Sequence, residues 1–267
     1  MLSNNLLLKK MSVFLAPLIL IMVWEVWLLY SRAAVEIGIL TCLIVFFSVW
    51  YLTNRFVAVS ELQKSLHYKE FWRFLITPGV FILAVYFFIM ILESGFWQQF
   101  MVFFANIIFL LILQNLFDRF YLPAGYPARS FESISGNVNI ISLFLFLTVA
   151  YSFIAFLNFS VWLSATFFLF LAIMLIYQTM WISGITVKQS WLYLIVIGLL
   201  LLETFWSLVF LPNTYYVKAL VISLVYYALI NLARNQLIGL LNRKMVLRYL
   251  LISVIVLGLI WGTAQWL

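Results

Sequence analysis

Two glutamates lie deep inside apolar stretches of the sequence that are long enough to cross a membrane. Glu25 is in the stretch 12–30 and Glu203 is in the stretch 191–211, and a helix would carry each roughly 20 Å into the bilayer. A carboxylate at that depth is unfavourable unless it is protonated, paired or in contact with water, so such groups mark functional sites by default. The two positions therefore predict a site that binds a ligand, a proton or a cation.

The same carboxylates also have a structural explanation, which the sequence leaves open. Arg32 and Lys218 are the only basic residues expected on the outer side of the membrane, where both glutamates are also expected. They are candidate counter-charges. A glutamate can instead accept a hydrogen bond from a Trp indole or from a Ser or Thr hydroxyl on a neighbouring helix. Glu25 and Glu203 are thus candidates either for a ligand or ion site or for helix packing.

Most other polar residues within the apolar stretches are amides and hydroxyls, such as Asn106, Asn139 and Gln178. Side chains of this kind usually bond across membrane helices and contribute about 0.6 kcal/mol on average. We therefore expect them to stabilise packing rather than to line a substrate path.

The connection 118–137 carries the most varied polar chemistry outside these stretches. Asp118, Arg119 and Arg129 lie within it. Its expected helix breakers are Pro123, Gly125, Pro127 and Gly136. A site that binds lipid headgroups or catalyses a reaction on the cytoplasmic side is predicted here if the chain has one, and a plain connector is the alternative.

Few residues of the chain could support metal or acid–base catalysis. Cys42 is the only cysteine and His67 the only histidine, and neither has the ligand spacing of a metal site. The sequence also lacks paired Asp clusters for magnesium pyrophosphate, a serine with a His or Lys base, and a phosphate-binding glycine loop. It therefore predicts no metal, no cofactor and no assignable catalytic residue, and it disfavours an enzyme.

The elements that position these residues are nine apolar stretches, each long enough to cross about 30 Å of hydrocarbon as a helix. With 67% hydrophobic and 9% charged residues, the chain has too little polar surface for a soluble domain. The stretches are uniformly apolar, whereas barrel strands would alternate. The predicted fold is all-α, a single integral membrane domain over 1–267. Its spans are 12–30, 34–52, 74–92, 97–117, 138–157, 160–181, 191–211, 216–233 and 249–266.

Positive charges alternate with the spans. Of the fifteen Lys and Arg residues, thirteen fall in alternate gaps, and only Arg32 and Lys218 fall in the others. The positive-inside rule then predicts a cytoplasmic N-terminus and a C-terminus outside. The net charge of +7 is explained by this topology and by contact with anionic headgroups, and nucleic acid is not expected as a partner. We expect a plasma membrane, most simply a bacterial inner membrane.

Short outer connections group the spans into four helical hairpins followed by one unpaired helix. That last helix contains Gly258 and Gly262, a pair of small residues that lets helix backbones approach closely. It could form a homo-oligomer or bind a partner membrane protein, or it could pack against its own bundle.

Three classes of function are compatible with these patterns. A non-catalytic membrane subunit or scaffold is favoured because polar surface is minimal and the last helix is unpaired. A small-solute or ion transporter that uses Glu25 and Glu203 is the first alternative, and a lipid-handling enzyme is the second.

Overall fold

The fold is all-helical, as predicted. The computed structural model describes residues 2–29, 34–54, 64–121, 130–244 and 246–247, and five single residues beyond them. Those five are Leu251, Val254, Ile255, Gly258 and Gly262. The described part forms α1 (Leu2–Leu29), α2 (Ala34–Asn54), α3 (Lys64–Ile91), α4 (Gly95–Tyr121), α5 (Ser130–Leu157), α6 (Val161–Ile182), α7 (Val187–Val209) and α8 (Tyr215–Leu237).

All eight helices contain a stretch long and apolar enough to cross a membrane. Eight of the nine predicted spans therefore coincide with helices. The ninth, 249–266, lies outside the described residues except for the five single positions. The chain is thus a polytopic membrane protein.

Several helices extend beyond their apolar stretches. α3 begins at Lys64, ten residues before the predicted start, and α5 begins at Ser130. The expectation that Gly136 prevents a helix is wrong, because Gly136 lies within α5. A glycine inside a helix costs only about 1 kcal/mol relative to alanine. Hydropathy locates the part of a helix that lies in lipid, and it does not locate the helix ends.

The chain divides into two compact units, Met1–Val138 and Asn139–Leu267. In the first unit α1 packs against α2 and α4, and α3 packs against α2 and α4. The buried Trp24 indole donates a 3.0 Å hydrogen bond to the Thr41 hydroxyl, which joins α1 to α2. The Tyr121 hydroxyl donates to the Leu52 carbonyl and joins α4 to α2. Apolar packing and these few polar contacts hold the first unit together.

In the second unit α6 packs against α7 and α8, and α7 packs against α8. α5 joins them through side chains. Its Tyr151 ring stacks on Phe205 of α7 at 4.8 Å, and the Tyr151 hydroxyl donates to the Phe205 carbonyl. Phe168 of α6 stacks on the same Phe205 ring. These three aromatic rings form the centre of the second unit.

Many large apolar side chains face outward along the helices, as a lipid environment requires. Examples are Met22, Phe103, Phe170 and Leu199. A soluble protein would not leave such large apolar areas exposed. Their distribution over both units agrees with a protein surrounded by hydrocarbon.

Candidate functional site

Glu25 is partly buried and bonded to another helix. Its carboxylate accepts a 2.9 Å hydrogen bond from the Gln99 side-chain amide. Glu25 lies four residues before the end of α1 and Gln99 lies four residues after the start of α4. The bond therefore lies about one helical turn, or roughly 6 Å, inside one end of both helices. The contact joins two helices, but its donor is a glutamine amide and not the Trp indole or Ser/Thr hydroxyl that was expected. A ligand or ion role for Glu25 stays a prediction.

The neighbours of Glu25 determine which way its side chain points. Trp24 and Trp27 are both buried and pack into the first unit. Trp27 lies against Tyr86 with ring centroids 4.8 Å apart. Because Trp24 and Trp27 occupy the inner face of α1, Glu25 is turned to the flank that meets α4. Arg32, its predicted counter-charge, lies outside the described residues.

Glu203 is exposed on α7. The buried side of that helix is formed by Ile197, Leu201, Phe205 and Leu208. Glu203 shares the opposite side with Leu192, Val196 and Leu199, which are spaced at helical intervals and are each about half exposed. Six residues separate Glu203 from the end of α7, so it lies roughly 9 Å inside that end. A carboxylate thus interrupts an apolar outward face.

Within the described ranges, no side chain donates a hydrogen bond to the Glu203 carboxylate. The nearby hydroxyl groups bond to backbone carbonyls instead. The Ser207 hydroxyl donates to the Glu203 carbonyl, and the Thr204 hydroxyl donates to the Leu200 carbonyl. These bonds satisfy the two hydroxyls inside their own helix. They leave the carboxylate available to a group outside the described residues.

Lys218, the other predicted counter-charge, contacts different groups. Its ammonium donates a 3.3 Å hydrogen bond to the Val209 carbonyl and lies 5.7 Å from the centroid of the Tyr151 ring. The end of α7 carries a partial negative charge and the ring face is electron-rich, so both attract a cation. Among the described residues, Lys218 makes no ion pair with Glu203. Sequence reasoning missed Tyr151, because no spacing rule links α5 to α8.

A buried polar cluster joins three helices of the second unit. The Asn139 amide donates to Gln178 Oε1 at 3.3 Å and to Thr179 Oγ1 at 3.2 Å, and the Tyr226 hydroxyl lies 3.4 Å from Thr179 Oγ1. All four side chains are buried. The expectation that Asn139 and Gln178 bond across helices is confirmed.

The cytoplasmic candidates are only partly described. Asp118 and Arg119 lie in the last turn of α4, and Arg129 lies outside the described residues. The Arg119 guanidinium is 5.2 Å from the ring centroids of both Phe74 and Phe131. Arg119 therefore contacts α3 and the start of α5 through cation–π interactions. A headgroup or catalytic role for the three residues stays a prediction.

Gly258 and Gly262 are both exposed at the positions where the structure describes them. A Cβ atom added at either glycine would meet no atom of the described residues within 4 Å. The two glycines are therefore not covered by the described part of the chain. A role of the two glycines in binding a partner or a second copy of the chain stays a prediction.

No metal site is evident in the described ranges, where no group of three or more His, Cys, Asp and Glu residues is close enough to hold an ion. Glu25 belongs to the first unit, whereas Glu203 and Lys218 belong to the second. Each of these residues is therefore characterised by its contacts within its own unit.

Comparison with known proteins gives one match. The model of a family described as "Protein of unknown function (DUF5656)" matches residues 22–262. No curated protein and no solved structure matches the chain. The family match covers most of the chain, including all the glutamates discussed above.

Proposed function

The chain belongs to the DUF5656 family, and we propose that it is a non-catalytic membrane subunit or scaffold that binds another membrane protein. The observation that carries this proposal is the exposed Glu203 carboxylate on the apolar outward face of α7. α7 is also the least buried of the eight described spans. A partner helix would cover this face.

Placing a carboxylate against lipid costs free energy. An acidic residue at the centre of a membrane helix costs up to about 3 kcal/mol on insertion scales, and less near the helix ends. A partner that supplies a Lys, Arg or amide donor at the same depth would offset that cost. Carboxylates that serve transport usually face a bundle interior or a water-filled cavity. The outward position of Glu203 therefore favours an interface over a transport path.

The proposal includes a location. The alternation of positive charge supports a plasma membrane, most simply a bacterial inner membrane, with the N-terminus in the cytoplasm and the C-terminus outside. Anionic headgroups would contact the cytoplasmic connections. The last helix, through Gly258 and Gly262, is a second surface for a partner or for another copy of the chain.

Photo-crosslinking in native membranes tests the proposal. A photoreactive phenylalanine analogue replaces Leu199, which lies one turn from Glu203 on the same face, in the full chain. We expect a crosslink to a distinct membrane protein whose yield falls about tenfold with Glu203→Leu and is largely retained with Glu203→Gln, since an amide still forms hydrogen bonds. The same analogue at Met22, exposed on α1, is the control and should label lipid.

Two results would contradict the proposal. One is labelling of lipid alone from position 199. The other is a protein crosslink, whether to another protein or within the chain itself, that does not change with Glu203→Leu.

A small-solute or ion transporter is the second candidate, favoured by one observation in the first unit. The Asn106 amide donates to the Val102 carbonyl, but the buried Asn106 Oδ1 has no partner among the described residues. A buried acceptor without a donor costs about 1–3 kcal/mol, and a bound cation or protonated group would satisfy it. Flux of Na⁺ or protons into vesicles containing the purified chain, lost with Asn106→Leu, would support this candidate, whereas vesicles without flux of either ion would count against it.

A further inference from the structure

An apolar groove runs along the first unit between α2 and α3. It consists of two adjoining cavities of about 420 and 320 Å³ that share Cys42, Leu43 and Leu83. One section extends to Gly38 and Met90 and the other extends to Leu75 and Gly79. We call this continuous depression the α2–α3 groove.

Small residues keep the groove open. A Cβ atom at Gly38 would lie 3.3 Å from the Tyr86 ring, so the absence of a side chain lets that ring lie against α2. At Gly79 an added Cβ would meet nothing within 4 Å. Cys42, which has a short side chain, is exposed at the junction of the two sections. A larger residue at Gly79 would therefore extend into the groove rather than collide with the protein.

The dimensions of the groove indicate what can occupy it. From Leu75 to Met90 the wall formed by α3 is roughly 22 Å long. Both sections of the groove are partly open along that length. A methylene chain is only about 4 Å wide, from the contact distance of carbon atoms. The groove therefore has room for a hydrocarbon chain along its whole length.

Location and chemistry agree with such an occupant. The lining residues lie within the membrane-spanning parts of α2 and α3, and nearly all of the wall is carbon. Its length exceeds the roughly 15 Å half-thickness of the hydrocarbon core, so a full acyl chain fits inside. We propose that the α2–α3 groove is a binding site for one hydrocarbon chain of a membrane lipid. The groove belongs to the first unit, whereas the outward face of α7 belongs to the second.

Binding here depends on packing rather than on removal from water, because lipid tails are as apolar as the groove. A binding site is therefore distinguished from ordinary contact with bulk lipid by labelling that saturates as the fraction of probe lipid rises. The test uses the purified full chain in vesicles of phosphatidylethanolamine and phosphatidylglycerol, with an increasing fraction of phosphatidylglycerol that carries a diazirine in its acyl chain. After irradiation, peptide mass spectrometry locates the adducts.

We expect adducts at Cys42, Leu43 and Leu83 to saturate as the probe fraction rises. Two groove-filling variants, Gly79→Leu and Leu83→Trp, should each lower these adducts about tenfold. Leu40→Trp is the matched control, because Leu40 is exposed on α2 but does not line the groove, and it should leave labelling unchanged. The two filling variants serve as alternatives to each other if one of them fails to fold.

Two outcomes would overturn the proposal. Labelling that rises linearly with the probe and is as dense at Met22 of α1 as in the groove would mean bulk lipid contact. A Cys42–Cys42 crosslink formed by a short bis-maleimide would mean that a second copy of the chain covers the groove, since Cys42 is the only cysteine.

Discussion

At the scale of single residues, the bond between Glu25 and Gln99 has a measurable consequence. Gln99→Leu removes the donor and leaves the carboxylate partly buried without a partner, so we expect a loss of about 1 kcal/mol in the free energy of unfolding. Glu25→Gln should cost less, because a side-chain oxygen still accepts the bond. Reversible unfolding of Glu25→Leu, of Gln99→Leu and of the double variant measures the coupling, because each of these single changes removes the bond. If the loss in the free energy of unfolding of the double variant equals the sum of the two single losses, the bond contributes nothing to stability.

The ring and the hydroxyl of Tyr151 contribute separately to stability, and two variants distinguish their contributions. Tyr151→Phe keeps the stacking on Phe205 and the contact with Lys218 but removes the donor to the Phe205 carbonyl. We expect a loss of about 1 kcal/mol from the missing hydrogen bond. Tyr151→Leu should cost several kcal/mol, because it also removes a buried aromatic ring. Thermal unfolding in detergent compares the two, and equal losses would contradict the assigned roles.

The sequence identified Glu25 and Glu203 as candidates but could not assign their surroundings. Almost every position of the stretch 191–211 is apolar, so no periodicity reveals which face of α7 is buried. That depends on the aromatic packing between Tyr151, Phe168 and Phe205, which are far apart in the chain. The partners of Lys218 were missed for the same reason.

At the scale of helices, the buried cluster of Asn139, Gln178, Thr179 and Tyr226 fastens α5 to the rest of the second unit. Asn139→Leu removes both bonds that the Asn139 amide donates, to Gln178 Oε1 and to Thr179 Oγ1. We expect a loss of about 1–3 kcal/mol. Asn115→Leu is a suitable control, since Asn115 bonds to the Leu111 carbonyl in its own helix at an exposed site. Similar losses for the two variants, measured by unfolding, would argue against a special role for the cluster.

The positions of the spans were predictable because lipid requires long apolar helices with all backbone groups paired internally. Helix ends were predicted less well. α5 begins at Ser130 and passes through Gly136, where composition indicated a loop. Local propensity at one glycine is weak compared with the cooperative hydrogen bonding of a long helix.

At the scale of the whole molecule, the charge pattern predicts a topology that reporters can check. A reporter fused after Leu240, beyond the end of α8, should be cytoplasmic, because eight spans return the chain to the side of its N-terminus. A reporter fused after Leu267 should lie outside, since the ninth predicted span crosses once more. A cytoplasmic reporter at Leu267 would show that 249–266 does not cross, and an outside reporter at Leu240 would reverse the proposed orientation.

We propose that the outward face of α7 binds another membrane protein through Glu203. Native mass spectrometry of the chain extracted gently in its own lipid tests it most directly, with Glu36→Leu as a control at an exposed glutamate near the start of α2. A stoichiometric protein partner that is lost with Glu203→Leu and retained with Glu36→Leu is the result we predict. A chain that carries no protein partner, or one retained equally in both variants, would contradict the claim.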